Sequence, residues 1–578
     1  MRRFIFMMMA GIWCLGAWSI PAKRIPFTVT NSDGSVLTLV LCGDECFHFY
    51  ATTEGVPVVE EENGDWRLAP ELADSISVKW TERSQLRNAH RIQRTTEQRA
   101  RRVKAGRQMS YEGQKKGVVI LVNFPDLSMK SNHTKAEFND YFNKEGYTNN
   151  GCVGSVHDYF HDQSYGKFDL TFDVYGPVTT LKNSTYYGAN DSKGTDSHVA
   201  EFAAEVCTTA YYKYDIDWSK YDWDEDGEVD QVYIIYAGVG EASGGAANTI
   251  WPHEWTLTNG KGYGDGDGPL TFGDVTIDTY AASDELRSKS SKLLNGIGTA
   301  CHEFSHCLGL PDFYDTSYNG GFGMNHWDLM DAGSYNGNTH NGECPVGYTA
   351  YERWYAGWLT FTELTEPCTI TGMPDLEDEP VAYMVCNDVN RNEYFTLENR
   401  QCKKWFQYVN TTNNCHGMLV CHVDFNQKAW EENRPNKDAK HQRMSIIPAG
   451  KEFGTSLGAA GNKSYSITPS QYQAQLFPGR DNVTELTNDS HKDCGGQLFG
   501  KNTDGTNNMN KPITNIAETE DGLISFDFMG GGDPQAIESL TPTLSASKGA
   551  WYTLDGRKLS GQPGTKGIYL HEGKKVLR

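Results

Sequence analysis

The run HEFSHCLGLPD, which begins at His302, constrains the fold more than any other part of the chain. His302 and His306 are four residues apart, so on a helix both imidazoles lie on one face, about one turn apart. Gly309 can end that helix in a left-handed conformation, and Pro311 prevents the helix from resuming. The chain then turns back and brings Asp312 towards the histidines. The run therefore predicts a helix, a glycine turn and a metal site with three ligands.

The residue types in this run suit zinc and hydrolytic chemistry. Two neutral imidazoles and one carboxylate are donors that zinc binds, and with Zn²⁺ they leave a net charge of about +1. Glu303 follows the first histidine and can take a proton from water at the metal. We therefore expect zinc as the cofactor, with His302, His306 and Asp312 as ligands and Glu303 as the general base of peptide-bond hydrolysis. The alternative is a helix with surface histidines.

Three residues beyond the run are candidate supports for such a site. Met330 follows in HWDLMDAGSY, and zinc proteases of this class carry a Met-containing turn beneath the metal. Tyr335 and Tyr348 are phenols that could stabilise an oxyanion. An ordinary core role is the alternative for Met330 and the favoured one for each tyrosine.

The segment DWDEDGEVD, residues 222–230, resembles the first half of a calcium-binding loop, because carboxylates alternate around Gly227. Tyr233 stands where an EF-hand has its bidentate glutamate, so the loop is not a complete EF-hand. The alternative is a solvated acidic turn. The predicted calcium ligands are Asp222, Asp224, Asp226, Glu228 and Asp230.

The N-terminus has the pattern of a secretory signal peptide over residues 1–22. Arg2 and Arg3 precede an apolar run, and Ala17-Trp18-Ser19 offers a cleavage site. A membrane anchor is the alternative, although the run is short for a span. We therefore expect an exported protein, extracellular or attached to the cell surface. Of the 14 cysteines, Cys14 leaves with the signal peptide, and export favours disulfides among the rest.

Composition divides the rest of the chain, whose 578 residues exceed one ordinary domain. We expect a multidomain protein with a small β-rich propeptide, an α/β zinc protease domain and a β-sandwich domain. The propeptide ends in a polar, basic stretch (87–116) that is open to cleavage; an ordinary linker is the alternative. The predicted ranges are 23–116 for the propeptide, 117–360 for the protease, 361–529 for the sandwich and 530–578 for a linker and C-terminal tail.

The formal net charge of −23 argues against nucleic acid as a partner, because such a partner requires a basic surface. Protein or peptide substrates remain the expected partners, and we expect a monomer.

The region 117–529 resembles the immune-inhibitor-A-like secreted bacterial zinc metalloproteases, which have a metzincin-like fold. The resemblance rests on HEFSHCLGLPDFYD and on IWPHEW, WDLMDAGS, AYERWYAGWL, YFTLENRQ and HGMLVCHVD. It implies zinc held by His302, His306 and Asp312, with Glu303 catalytic, and a calcium-binding role for DWDEDGEVD. The tail, through GRK, KGIY and GKKVL, resembles type IX secretion signals of Bacteroidetes proteins, which implies an interaction with outer-membrane secretion machinery.

The leading functional hypothesis is a secreted zinc endopeptidase. The runner-up is a secreted binding protein or adhesin whose protease domain has become inactive, but a decayed site would be free to lose the four motif residues. A hydrolase of glycans is a third hypothesis, for which paired carboxylates would be expected.

Overall fold

The structure is a computed structural model, and it describes residues 20–44, 47–61, 63–73, 75–76, 111–191, 194–318, 320–457, 464–491, 509–532, 534–535, 551–552, 568–571 and 574–577. Most of the predicted signal peptide, basic linker and C-terminal tail lies outside these residues. The chain forms two compact units, Met1–Asp533 and Pro534–Arg578. In the smaller unit, β24 (Trp551–Tyr552), β25 (Ile568–His571) and β26 (Lys574–Leu577) form an antiparallel sheet, and β23 spans Pro534–Gln535.

The larger unit begins with an antiparallel sheet of five strands in sequential order. Turn sequences such as Asn31–Ser35 separate its short strands. In this turn the Asn31 backbone nitrogen donates to the Ser35 carbonyl. The strands are β1 (Phe27–Thr30), β2 (Val36–Asp44), β3 (Phe47–Thr52), β4 (Pro57–Glu60) and β5 (Trp66–Leu68). The β-rich character predicted for this region is confirmed, whereas its role as a propeptide stays a prediction.

A second sheet of five strands carries the middle of the chain, in the order β7-β6-β8-β12-β9. β7, β6, β8 and β12 run parallel to one another, and β9 pairs antiparallel with β12 at one edge of the sheet. The apolar runs VVILVN and VYIIY, which their sequence alone predicts as buried strands, form the C-terminal end of β6 and the whole of β8. The strands are β6 (Gly113–Asn123), β7 (Phe168–Thr179), β8 (Val232–Tyr236), β9 (His253–Thr256) and β12 (Thr279–Asp284); β10 (Leu270–Phe272) pairs with β11 (Val275–Ile277).

Helices cover both faces of this sheet. Because side chains of β8 alternate, Tyr233 and Ile235 join the core that holds the metal-motif helix, while Val232 and Ile234 join a second core with α4. The run HVAEFAAEVCTTAYYK (198–213), whose apolar residues fall on one helical face and predict a helix, forms α4. The helices of the larger unit begin with α1 (Lys135–Asn143), α2 (Val156–Gln163), α3 (Ser184–Tyr187), α4 (Val199–Tyr214), α5 (Leu257–Tyr263), α6 (Gly298–Cys307) and α7 (Ala350–Tyr355).

Strands dominate the chain after residue 360, as the sequence predicts. One sheet has the order β13-β15-β16-β17-β18, and β21, β22 and β14 pair in that order in another. Residues of both sheets share one core, which includes Ile370, Phe395 and Phe526. The elements are β13 (Thr362–Glu363), β14 (Cys368–Met373), β15 (Tyr383–Cys386), β16 (Glu393–Arg400), β17 (Gly417–Asp424), α8 (Gln427–Glu431), β18 (Met444–Ile446), β19 (Thr455–Leu457), β20 (Ser464–Ser466), α9 (Pro469–Gln473), β21 (Ile513–Glu518) and β22 (Ile524–Phe528).

No disulfide joins the cysteines that the structure describes, so the predicted disulfides are not found among them. Cys42 is buried in β2, with its sulfur near the Val40 carbonyl. Within the described ranges, no helix has the length and apolar character needed to span a membrane.

Candidate metal centre

Helix α6 and the turn after it follow the geometry that the sequence predicts. The helix ends at Cys307, and Gly309 adopts a φ of +91°, the left-handed conformation that favours glycine. At the other end, a Cβ on Gly298 would lie 1.8 Å from the Ser334 carbonyl oxygen, so only glycine permits this close packing. The turn and the tight packing fix where the helix presents its histidines.

The two histidines and Asp312 meet at one buried point. Asp312 Oδ1 lies 3.2 Å from His302 Nε2 and 3.5 Å from His306 Nε2, and the three side chains are at most 1% exposed. Their donor atoms all lie within 4.8 Å of one another, a spacing that one metal ion can bridge. The structure therefore brings the three predicted zinc ligands together.

The hydrogen bonds of the outer ring nitrogens make this cluster suitable for a metal. His302 Nδ1 is 2.8 Å from the Leu329 carbonyl oxygen, and His306 Nδ1 is 2.9 Å from that of Leu310. A carbonyl can only accept, so each Nδ1 carries the hydrogen and each Nε2 keeps a lone pair. Two imidazole lone pairs and a carboxylate oxygen at one point are the donor set that zinc binds, so the residues fit a zinc ion.

Asn433 holds the third ligand in place. Its Nδ2 donates to Asp312 Oδ2 at 2.5 Å, and its Oδ1 accepts from the Asp312 backbone nitrogen at 2.6 Å. These bonds leave Oδ1 of Asp312 facing the histidines and fix the direction of the carboxylate. Sequence reasoning missed Asn433, which follows α8 far from the motif and belongs to no recognisable spacing.

Glu303 is fully buried on the same helix, beside the first histidine. The Gln231 side chain donates from Nε2 to the Glu303 backbone carbonyl at 3.1 Å and so joins α6 to the chain entering β8. The Glu303 carboxylate also raises the pKa of Tyr335 and Tyr233, in addition to the larger effect of their burial. Its charge therefore acts on the phenols around the site.

Met330 lies in a buried segment that contacts both sides of the cluster. Its carbonyl accepts from the Phe313 nitrogen at 2.8 Å, next to Asp312, while the preceding carbonyl of Leu329 accepts from His302. Its own nitrogen donates to Asp328 Oδ1 at 2.7 Å. The segment thus supports two of the three ligands through its backbone.

Asp328 in turn faces Glu352 of α7. Asp328 and Glu352 share a side-chain hydrogen bond, and Asp328 Oδ2 and Glu352 Oε1 are buried with no other hydrogen-bond donor in the described part of the chain. Burial raises the pKa of Asp328 to about 7 and that of Glu352 well above its ordinary value, and each negative charge affects the other. This geometry fits one proton held between the two carboxyl groups.

The two candidate tyrosines differ in what they contact. Tyr335 donates its hydroxyl hydrogen to the Pro21 carbonyl at 2.7 Å, and burial raises its pKa well above the ordinary value, so it stays a donor. Tyr348 is fully buried, its hydroxyl is bonded to Ser305, and its ring stacks on Trp358. The contacts of Tyr348 are those of a core residue supporting α6.

In the acidic loop the structure brings together Asp222, Asp224 and Asp226. The Asp222 carboxylate accepts from the backbone nitrogens of Asp226 at 3.1 Å and Gly227 at 2.9 Å, while burial and the neighbouring aspartates shift its pKa upward. Glu228 and Asp230 fall outside this group. Glu228 forms a β-bridge with Thr276, and Asp230 accepts from the Trp223 nitrogen at 2.6 Å.

The fold and the site have the features of a metallopeptidase domain. These are a mixed sheet, a helix with two histidines and a glutamate, a glycine turn and a Met-containing segment. Residues 104–358 match the family model described as immune inhibitor A peptidase M6, catalytic domain. The geometry and this match together identify the region as a metallopeptidase domain, a hydrolase, similar to the catalytic domains of peptidase M6.

Two relatives agree with this class. Pre-pro-metalloprotease PrtV of Vibrio cholerae is 28% identical over 281 residues, which cover 41% of this chain and 29% of the relative. Immune inhibitor A of Bacillus thuringiensis subsp. alesti is 26% identical over 275 residues, which cover 40% of this chain and 38% of the relative. The chain thus spans well under half the length of either relative.

Proposed function

We propose that this protein is a secreted zinc endopeptidase that hydrolyses protein or peptide substrates with Glu303 as its general base. The observation that carries the proposal is the buried meeting point of His302 Nε2, His306 Nε2 and Asp312 Oδ1. Glu303 is buried on the same helix, where a carboxylate can exchange protons with water beside the three donors.

Each side chain of the site has a separate role in the proposed hydrolysis. A zinc ion bound here would supply Lewis acidity towards water and towards a peptide carbonyl. Glu303 takes a proton from the attacking water and delivers it to the leaving amine. Asn433 keeps the Asp312 carboxylate aimed at the histidines. Tyr335, a buried phenol that donates to a carbonyl in this structure, is the candidate donor to the oxyanion.

Replacing Glu303 tests this role directly. The Glu303→Gln variant keeps the shape of the side chain but cannot accept a proton, so we expect casein hydrolysis to fall by about 10²–10⁴-fold at an unchanged zinc content. Glu393→Gln is a matched control, because Glu393 is also buried and pairs with His422 at 2.9 Å in β16 and β17. Normal hydrolysis by the Glu303 variant would show that the assigned site is wrong.

We further propose that the loop at 222–230 binds calcium and stabilises the fold. The proposal rests on the clustered aspartates and on backbone nitrogens that hold the Asp222 carboxylate in place. Calcium at about 100 times its dissociation constant should add about 2.7 kcal/mol to the free energy of unfolding. An Asp224→Asn/Asp226→Asn variant should lose this gain in a thermal melt; equal gains in variant and wild type would contradict it.

Export and maturation are also proposals. The signal-peptide pattern, the basic linker and the tail suggest secretion followed by removal of the N-terminal sheet, so that the site is silent until cleavage. N-terminal sequencing of the protein from the culture medium should give a start within or after residues 87–116. A secreted, active protein that starts before residue 30 would contradict this maturation. The adhesin alternative is disfavoured because the ligands keep their supporting hydrogen bonds.

A further inference from the structure

The N-terminal sheet inserts a positively charged side chain into the protease domain. His48 of β3 pairs with Glu241, with 3.0 Å between Nε2 and Oε1, and the two side chains are 9% and 0% exposed. The other ring nitrogen, Nδ1, lies 3.3 Å from the Asp44 carbonyl oxygen. Burial lowers the pKa of His48, but the carboxylate of Glu241 raises it above the ordinary value. Each ring nitrogen of His48 thus faces an oxygen, Glu241 Oε1 or the Asp44 carbonyl, an arrangement that suits an imidazolium with both nitrogens donating.

The residues around the His48 ring, Trp251, Asp196 and Glu241, suit a cation. The His48 ring stacks on Trp251, with centroids 4.8 Å apart and planes inclined by 21°. The Trp251 backbone nitrogen donates to Asp196 Oδ2 at 2.8 Å, which fixes a second carboxylate beside the indole. Asp196 Oδ1 and Glu241 Oε2 are buried and receive no hydrogen bond from groups that the structure describes. Burial raises the pKa of Asp196 to about 8, so Glu241 is the anionic wall of this pocket, and the Asp196 carboxyl group and the indole face complete it around the His48 ring.

This pocket lies beside the strand that borders the metal centre. Trp251 stands just before β9, the antiparallel edge strand of the central sheet, and helix α6 contacts β9. Extended peptides add to exposed sheet edges, and their side chains enter pockets along the edge. The residues of β9 are buried in this structure, and a peptide that added to this edge after removal of the N-terminal sheet would pass the pocket.

The residues just before the N-terminal sheet already lie on this face. The Tyr335 hydroxyl donates to the Pro21 carbonyl, and Trp251 Nε1 donates to the Ile20 carbonyl at 3.3 Å. Lys23 is buried next to it, with Nζ 3.0 Å from Asn295 Oδ1. In the precursor, this face thus contacts the carbonyls of Ile20 and Pro21 and the basic side chains of Lys23 and His48.

We propose that Glu241, Asp196 and Trp251 form a subsite for the cationic side chain of a substrate peptide, which His48 occupies in the precursor. The inference rests on the proposed function, since it takes the N-terminal sheet to be removed from the mature enzyme. Removal of His48 leaves Glu241 without its counter-ion, and a buried carboxylate favours a new cation over a neutral group. A lysine or arginine side chain supplies that cation, and arginine can also stack on the indole.

A binding measurement on the full chain tests the subsite without any need for activity. His48→Ala opens the pocket, and methylguanidinium chloride is the probe, with N-methylurea as its neutral counterpart. We expect methylguanidinium, but not N-methylurea, to raise the melting temperature of His48→Ala. The wild type and His48→Ala/Glu241→Gln should not respond. Equal responses of the single and double variants would show that the pocket only anchors the N-terminal sheet.

A second measurement uses the processed enzyme, in case His48→Ala fails to fold. Peptide pairs that differ only by lysine against norleucine are compared by kcat/KM. We expect the ratio of kcat/KM for the lysine peptide to that for the norleucine peptide to be about ten or more in the wild type and in Glu393→Gln. In Glu241→Gln we expect a ratio of about one. Cleavage of both peptides at equal rates by the wild type overturns the subsite. If the wild type with zinc cleaves no peptide, the proposed function fails, and the methylguanidinium measurement still decides the subsite.

Discussion

Asn433 and Asp312 are joined by two hydrogen bonds across 121 residues of sequence. The amide satisfies both the backbone nitrogen and one carboxylate oxygen of Asp312, so the carboxylate cannot rotate away from the histidines. Asn433 itself adopts a φ of +50°, which asparagine tolerates better than most residues. The position therefore needs asparagine for its side chain and for its backbone.

Loss of the Asn433 side chain should loosen the zinc site. We expect Asn433→Ala to weaken zinc binding by about 10–100-fold, measured by competition with a chromogenic chelator, because the Asp312 carboxylate loses its fixed direction. Asn482→Ala is the matched control, since Asn482 has a φ of +51° on the surface and carries the same backbone cost. Equal zinc affinity in the two variants would mean that Asn433 does not position the ligand.

At the scale of elements, the Met330 segment that supports α6 is itself joined to α7. The Met330 segment fixes His302 through the Leu329 carbonyl, and Asp328 fixes that segment through the Met330 nitrogen. Asp328 faces Glu352, whose Oε2 accepts from the Thr349 nitrogen and caps α7. The acid pair therefore joins α7 to the segment that supports the metal centre.

The acid pair should make stability depend on pH. Both folded-state pKa values are raised above the values of about 4 in the unfolded chain, so the folded state holds more protons between pH 4 and 7. The free energy of unfolding contributed by the pair therefore falls as pH rises through this window, by about 1 kcal/mol per pH unit. Glu352→Gln, which resembles the protonated acid, should show a flatter urea-denaturation profile than the wild type. If the free energy of unfolding depended on pH equally in Glu352→Gln and in the wild type, the two acids would not share a proton.

Local rules explain why some elements could be predicted from the sequence. The strands β6 and β8 follow from continuous apolar runs, and the end of α6 follows from Gly309 and Pro311. In the same way, a four-residue spacing is sufficient to place His302 and His306 on one face. Asn433, Glu241 and the Asp328–Glu352 pair carry no such signal, because their partners are distant in sequence and meet only after the sheets and helices pack.

At the scale of the whole molecule, the region after residue 360 is part of what builds the metal centre. One core includes Phe304 of α6 together with Leu419 and Met444 of the C-terminal sheet. Buried polar contacts join the same parts: Arg353 of α7 pairs with Glu377 at 2.5 Å, and Arg400 of β16 donates from Nη2 to the Tyr348 carbonyl at 2.7 Å. The sequence separates a protease range from a sandwich range by composition, but composition gives no indication that the second range completes the site of the first.

Removal and return of zinc test the central claim most directly. The purified, processed protein is assayed on casein before treatment with a zinc chelator, after removal of the metal by dialysis, and after addition of zinc or calcium. The three-ligand site predicts that hydrolysis disappears with the metal and returns with about one equivalent of zinc per chain, and not with calcium alone. Hydrolysis that persists at the original rate in a sample free of zinc would contradict the account.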